Sequence, residues 1–163
     1  MKTLFLLRHA KSSRDDVTLK DFDRPLNERG REDAKLMGRH LRHQHLLLDG
    51  VISSPAKRAR ETAEIFLKAA DVAFAPSFDE RIYEAGLQHL LKVVSEIDQS
   101  LNVVLLIGHN PGFEALAESL TGQYIGLPTA TLAALDLSVE QWRDVRPRSA
   151  KLRLLVTPKQ LKN

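Results

Sequence analysis

Two short apolar runs in this chain each lead to a histidine, and this pattern constrains the fold more than any other feature. Residues 4–7 are apolar and precede His9, and residues 103–107 are apolar and precede His109. A continuous apolar run of this length is typical of a strand buried on both faces of a parallel sheet. Both histidines are therefore expected at the carboxyl ends of central strands, where open α/β sheets form their active sites.

A third segment is expected to place an arginine at the same edge of the sheet. A short apolar stretch leads into residues 53–62, where Ser54 is predicted to cap a helix and Pro55 to occupy its first position. Arg58 then lies in the first turns of that helix. The unpaired N–H groups of a helix N-terminus favour an anion, and Arg58 is expected to reach over the same place.

Asn110 and Pro111 repeat this cap-then-proline pattern after His109. A second helix start is therefore expected beside the first, and Ser54 and Asn110 are predicted to contact the substrate. Arg8 precedes His9 directly and is expected in the same pocket.

Histidine and arginine at one site suit a phosphate ester or a phosphoramidate. A neutral imidazole is a competent nucleophile toward phosphorus, and a second imidazole can stabilise charge on the transferred group. Guanidinium groups bind phosphate oxygens in pairs and can replace the positive charge that magnesium supplies in many phosphoryl-transfer enzymes. We therefore expect neither a metal ion nor a cofactor.

The composition narrows the class of protein. A chain of 163 residues is most simply one domain, spanning residues 1–163. The absence of cysteine excludes disulfides and thiolate catalysis. No apolar run has the length of a signal peptide or a membrane span, so a cytoplasmic location and no membrane partner are expected. The net charge of +3 comes from dispersed basic residues, a pattern that does not favour nucleic-acid binding.

The spacing of apolar residues predicts alternating strands and helices, with residues 11–24 as a polar loop over the site. Residues 131–137 and 152–157 are predicted to form a final antiparallel pair, because the connection between them contains no good helix. The fold class is therefore α/β, a three-layer α/β/α sandwich with a mostly parallel central sheet and an antiparallel C-terminal strand. The other strands are predicted at 2–7, 50–52, 72–75 and 103–107, and the helices begin near Asn27, Pro55, Leu87 and Pro111.

These residues resemble the histidine phosphatase superfamily, which has the phosphoglycerate mutase-like fold. Its Arg-His-Gly motif matches Arg8-His9-Ala10, with alanine in place of glycine, and its Ser-Ser-Pro segment followed by an arginine matches residues 53–58. Its second histidine follows an apolar strand, as His109 does. The resemblance implies that His9 is the phosphorylated nucleophile and that Arg8, Arg58 and His109 complete the phosphate pocket.

Within that superfamily the chain is most similar to the small SixA-type phosphohistidine phosphatases. It is short, and residues 24–30 resemble the Arg-Pro-Leu segment of that branch, which suggests Arg24 as a further substrate contact. The resemblance implies a metal-independent phosphatase that acts on phosphohistidine in proteins. Inorganic phosphate or sulfate should occupy the same pocket.

Larger members of the superfamily have a carboxylic acid that protonates the leaving oxygen. In this chain the similar segment is 78–84, which indicates Glu80. An imidazole leaving group needs such an acid less than an alkoxide does. If Glu80 is out of reach, sugar phosphates should be poor substrates.

Two other functions stay open from the sequence. A phosphomonoesterase or mutase for a small phosphorylated metabolite would share Arg8, His9, Arg58 and His109. A non-catalytic module that binds phosphorylated proteins would show binding that survives His9→Ala and no hydrolysis.

Overall fold

The computed structural model describes residues 1–162, which form a mixed sheet covered by helices on both faces. Within these residues the sheet has six strands in the order β3-β2-β4-β1-β5-β6. β1, β2, β3 and β4 run parallel to one another, whereas β5 is antiparallel to β1 and β6 is antiparallel to β5. The strands are β1 (Lys2–Arg8), β2 (Gly50–Ser53), β3 (Ser77–Phe78), β4 (Val103–Gly108), β5 (Leu132–Leu137) and β6 (Ala150–Val156).

The helices form the two outer layers, which confirms the three-layer α/β/α architecture. α1 and α2 pack against each other over one face of the sheet, and α3 and α4 cover the other face. A short C-terminal helix, α5, was not predicted from the sequence and contacts α1. The helices are α1 (Glu28–His43), α2 (Lys57–Ala69), α3 (Leu87–Ser95), α4 (Gly112–Thr121) and α5 (Pro158–Leu161).

β1 lies in the middle of the sheet, between β4 and β5, and is buried on both faces. Leu4 and Leu6 pack toward α3 and α4, while Phe5 and Leu7 pack toward α1 and α2. Alternate side chains of a strand point to opposite faces of its sheet, so a strand with a helix layer on each side must be apolar at every position. The apolar run before His9 is explained by this placement.

The expected strand at residues 72–75 is wrong. This segment turns away from the end of α2, where Asp71 has a left-handed backbone (φ 60°) and the Val72 N–H donates to the Leu67 carbonyl. The edge strand is instead β3, whose two residues pair with Ile52 and Ser53 of β2. Both residues of β3 are exposed, so no apolar pattern marks this strand in the sequence.

The antiparallel pairing of the last two long strands is confirmed, with β6 beginning slightly earlier than expected. Their connection contains one turn of 3-10 helix, Trp142–Asp144, and no α-helix. In residues 1–162, no helix combines the length and the apolar character needed to span a membrane.

Candidate active site

His9 follows β1 directly and is almost fully buried, with 8% of its surface exposed. Its Nδ1 lies 2.7 Å from the backbone carbonyl of Ala10. Because a carbonyl oxygen can only accept, Nδ1 carries the proton and the lone pair of the neutral ring is on Nε2. Burial lowers the pKa of His9 to about 4, while the Ala10 hydrogen bond opposes this shift and the positive charges of Arg58, Arg8 and Arg24 add to it. At neutral pH the ring is therefore uncharged, with a lone pair on Nε2.

His109 follows β4 and faces His9 across a narrow gap. The two ring centroids are 5.1 Å apart, with an angle of 52° between the ring planes. Nε2 of His109 lies 2.7 Å from the hydroxyl of Ser54, whereas Nδ1 is buried without a hydrogen-bond partner. Burial, followed by the neighbouring His9 and Arg58, lowers the pKa of His109 to about 3.

The contact with the Ser54 hydroxyl indicates which ring nitrogen of His109 carries the proton. The Ser54 oxygen accepts a hydrogen bond from the backbone N–H of Ala56. Among residues 1–162, the acceptor for the hydroxyl proton of Ser54 is Nε2 of His109. Ser54 therefore donates to Nε2, and the proton of the neutral ring is on Nδ1. This N–H is buried and has no hydrogen-bond partner among residues 1–162.

Arg58 and Arg8 supply positive charge beside the two rings. Arg58 is 7% exposed, and its Nη1 and Nη2 donate to the carbonyl oxygen and to Oδ2 of Asp21, at 2.7 and 3.0 Å. Arg8 donates through Nη1 to the Leu127 carbonyl at 3.0 Å, and its Nε is buried without a partner. Burial lowers the pKa of Arg8, while the negative charge of Glu114 raises it.

The side chains of Arg8, His9, Arg58 and His109 line one cavity of about 440 Å³ at the carboxyl edge of the parallel strands, which we call the phosphate cavity. Five of the lining side chains are cationic and one is a carboxylate. A cavity with this charge and two neutral imidazoles can bind a phosphoryl dianion and offer it a nucleophile. The other lining residues are Lys11, Ser12, Arg14, Asp21, Arg24, Asn27, Asn110 and Thr129.

Arg24 is brought into this cavity by the loop over the site. Its Nη1 pairs with Oδ1 of Asp21 at 2.9 Å, and its Nε donates to the Ser13 carbonyl at 3.1 Å. A further hydrogen bond joins its Nη2 to the Ser12 hydroxyl. Arg24 therefore organises the loop and also adds charge to the pocket.

Two predicted details of the helix starts are wrong. α2 begins at Lys57 with Ala56 as its N-cap residue, so Ser54 does not cap it and instead holds His109. α4 begins at Gly112, and Asn110 donates its side-chain N–H to the Leu127 carbonyl at 2.9 Å rather than capping the helix. Asn110 nevertheless lines the cavity, and its Oδ1 is buried without a partner.

Glu80 is not brought to the site. It is exposed at the start of a turn of 3-10 helix, Glu80–Ile82, and lines neither the phosphate cavity nor a second cavity of about 510 Å³ beside it. Ile82 of the same turn is buried in the core below α3, which directs Glu80 away. The residues of this segment that reach the second cavity are Tyr83 and Glu84.

Asp21 and Tyr83 are site residues that the sequence analysis missed. The Tyr83 hydroxyl donates to Oδ2 of Asp21 at 2.7 Å, and this bond, with those from Arg58 and Arg24, lowers the pKa of Asp21 to about 2. Burial and the same bond to Asp21 raise the pKa of Tyr83 to about 12. A lone aspartate in a polar loop gives no signal by itself, although a carboxylate facing several arginines is an expected partner.

The loop that follows His9 is held in place from two sides. The backbone N–H of Ala10 donates to Thr62 Oγ1 at 3.0 Å, and the Thr62 hydroxyl donates to the Arg58 carbonyl at 2.7 Å. On the other side, Gly30 lies so close to Lys11 that an added Cβ would be 2.1 Å from the Lys11 oxygen. The loop after His9 is therefore fixed between α1 and α2.

Alanine in place of the motif glycine is accommodated at position 10. Ala10 is fully buried in the apolar cluster below α1 and α2, and its backbone is not in the left-handed region. A methyl side chain there meets no steric barrier of the kind that requires glycine.

The family model of the histidine phosphatase superfamily (branch 1) matches residues 4–102, which include Arg8, His9 and Arg58. The chain belongs to this superfamily. His109 lies beyond the matched residues, and its place in the histidine phosphatase site follows from its distance to His9. Membership of the superfamily supports a phosphatase activity.

Relatives of this histidine phosphatase extend the likeness over nearly the whole chain. An uncharacterised chloroplastic protein of Arabidopsis thaliana is 34% identical, covering 96% of this chain and 78% of the relative. A structure from Agrobacterium tumefaciens, described provisionally as a phosphohistidine phosphatase SixA, matches with a TM-score of 0.83 at 27% identity, covering 96% of this chain and 98% of that one. The protein histidine phosphatase SixA complexed with tungstate has the same fold, with a TM-score of 0.80, 22% identity, and coverage of 98% and 99%. The resemblance to the SixA type is thereby confirmed.

Proposed function

We propose that this histidine phosphatase hydrolyses phosphohistidine in proteins through a phosphorylated His9 intermediate, without a metal ion or another cofactor. The observation that carries the proposal is the pair of neutral imidazoles 5.1 Å apart in an arginine-lined cavity. The likeness to a protein described as a phosphohistidine phosphatase supports the choice of substrate.

In the first step the lone pair on Nε2 of His9 attacks phosphorus, and the bond from phosphorus to the leaving nitrogen breaks. Arg8 and Arg58 balance the negative charge of the equatorial oxygens, and the ring of His109 lies beside them in the same cavity. Because Ala10 keeps the proton on Nδ1 of His9, the phosphorylated ring is a cation. Water then attacks phosphorus, and His9 leaves as a neutral imidazole.

Among residues 1–162, no carboxyl group besides Asp21 lines the phosphate cavity, and this favours an imidazole leaving group over an alkoxide. The one carboxylate that lines the phosphate cavity is Asp21, whose pKa of about 2 keeps it ionised at neutral pH. Glu80 lies outside the cavity. A phosphorylated imidazole takes the proton that it needs from solvent, whereas a sugar alkoxide depends on an acid in the site.

The test is to incubate the protein with a peptide carrying labelled phosphohistidine and to trap the phosphoenzyme. Label is expected on His9, and His9→Ala should lose nearly all turnover while keeping its fold by circular dichroism. His89→Ala, an exposed histidine outside the cavity, is the matched control and should remain active. Turnover that persists in His9→Ala, or a wild type that prefers simple phosphomonoesters, would contradict the proposal.

The proposed partners are proteins that carry phosphohistidine, with inorganic phosphate or sulfate as competitors for the same pocket. A small phosphorylated metabolite is the alternative substrate, and assays of small phosphomonoesters beside the phosphohistidine peptide would detect it. The cytoplasmic location stays a prediction, since the Arabidopsis relative is chloroplastic.

A further inference from the structure

Two cavities with opposite charge meet at the reacting centre. They share Asp21, Arg58, His109 and Asn110 as lining residues. The phosphate cavity is rich in arginine and lysine, whereas the second cavity is lined by the carboxylates of Asp21 and Glu84, with Arg58 as its cation. A dianionic phosphoryl group is favoured in the first cavity, and a cationic or uncharged group is favoured in the second.

Asp21 lies on the border between the two cavities and is held there from three directions. Its Oδ2 accepts from Tyr83 at 2.7 Å and from Arg58 at 3.0 Å, and its Oδ1 accepts from Arg24 at 2.9 Å. These donors come from three separate parts of the chain. The side chain of Asp21 is nevertheless 49% exposed, so the carboxylate still has room to accept from a ligand.

We propose that the second cavity receives the leaving group and that Asp21 is a specificity-determining residue, which selects a protonated nitrogen ring over an oxygen leaving group. This inference rests on the proposed function, because it concerns the other end of the same substrate. It assigns a role to the second cavity, which is acidic because Asp21 and Glu84 line it, and to the three hydrogen bonds that hold Asp21.

A phosphorylated imidazole is reactive when its second ring nitrogen is protonated. The proton comes from solvent, and the ring then carries a positive charge that the Asp21 carboxylate stabilises by a charged hydrogen bond. When His9 attacks, the bond between phosphorus and the leaving nitrogen breaks. The electron pair of that bond stays on the nitrogen, and the ring leaves as a neutral imidazole that retains the proton.

The same carboxylate disfavours an ester. An ester oxygen develops negative charge as its bond to phosphorus breaks, and an anion at the border of the cavities repels that charge. Glu84 acts in the same direction from farther along the second cavity, where it is exposed. The acidic cavity therefore separates substrates by the charge of what leaves.

The test compares Asp21→Asn with Asp23→Asn, which makes the same change in the same turn of 3-10 helix, Asp21–Asp23, but outside both cavities. Three quantities are measured: turnover of a phosphohistidine peptide, turnover of p-nitrophenyl phosphate, and the dissociation constant of sulfate. In Asp21→Asn, the ratio of phosphohistidine to ester turnover should fall about tenfold, and sulfate should bind several times more tightly because a nearby anion is removed. Asp23→Asn should leave the turnover ratio and the dissociation constant of sulfate at the wild-type values.

The opposite signs separate selection from a merely structural role. If Asp21 only positions Arg58, its loss would weaken sulfate binding and slow both substrates equally, which would overturn the inference. Glu84→Gln is a second, exposed variant and should shift the turnover ratio the same way by a smaller factor. A selective loss of ester turnover in Glu84→Gln would instead identify an ester acid and also overturn it. If the wild type itself has no preference for phosphohistidine, the proposed function fails, whatever the variants do.

Discussion

The hydroxyl of Ser54 lies 2.7 Å from Nε2 of His109, and this contact fixes the orientation of a ring that lines the phosphate cavity. The two residues are far apart in the sequence, at the ends of neighbouring strands β2 and β4. We therefore expect Ser54 to be a positioning residue that acts on the substrate through His109.

Replacing Ser54 with alanine should lower kcat about tenfold, because His109 loses the bond that fixes its ring and its proton. KM should change less, since Arg8 and Arg58 still bind the phosphoryl group. Steady-state kinetics with a phosphohistidine peptide measures both constants. Ser53→Ala is the matched control, because the Ser53 hydroxyl donates to the Ser54 carbonyl and does not contact His109. Equal effects of the two substitutions would contradict this role.

Thr62→Val keeps the shape of a buried side chain but removes the acceptor for the Ala10 N–H. Leaving that N–H buried and unpaired should reduce the free energy of unfolding by about 1–3 kcal/mol. Turnover should also fall, since Ala10 holds the proton on His9. Urea denaturation and kinetics test the two effects, with Thr121→Val as a control at the end of α4. A Thr62→Val protein as stable as the control would show that the bond to Ala10 contributes little.

Gly30→Ala should disturb the loop after His9 from the side of α1. The new Cβ would lie 2.1 Å from the Lys11 carbonyl oxygen, so the backbone after His9 must move. We expect a loss of about 1–3 kcal/mol in the free energy of unfolding, together with reduced activity. At Gly126 an added Cβ meets only ordinary contacts, the nearest at 3.4 Å, so Gly126→Ala should be nearly neutral. Wild-type activity in Gly30→Ala would show that the contact between Gly30 and Lys11 does not hold the loop after His9 in its active conformation.

Sulfate should bind more tightly as the pH is lowered from 7 toward 5. In the free protein His9 has a pKa of about 4 and is neutral over this range, but a bound dianion raises the pKa of an imidazole beside it. Binding is then accompanied by proton uptake, and lower pH favours it. Calorimetry in two buffers of different ionisation enthalpy measures this uptake. His9→Asn should reduce the proton uptake that accompanies sulfate binding. Proton release on sulfate binding to the wild type would contradict this prediction.

The central strands and the two histidines could be predicted from the sequence because burial on both faces of a sheet leaves a continuous apolar run. β1 and β4 have this pattern, and their parallel pairing brings His9 and His109 together. The helix faces were predictable for a related reason, since their apolar residues recur with the helical period.

The missed features depend on contacts between distant parts of the chain. β3 is two exposed residues held by backbone pairing to β2, which no side-chain pattern records. The position of Glu80 follows from the burial of Ile82, and the position of Asp21 follows from Tyr83, Arg58 and Arg24. The role of Ser54 required knowing that His109 is its neighbour.

The central place of β1 has a consequence for synthesis on the ribosome. His9 emerges early, but β4, which lies between β1 and β2, is made about a hundred residues later. Until β4 is inserted, His9 has neither its facing ring nor the register that aligns β2 with it. The nascent chain should therefore be unable to react with phosphorylated proteins that it meets, and competence should appear only when the middle of the sheet has closed.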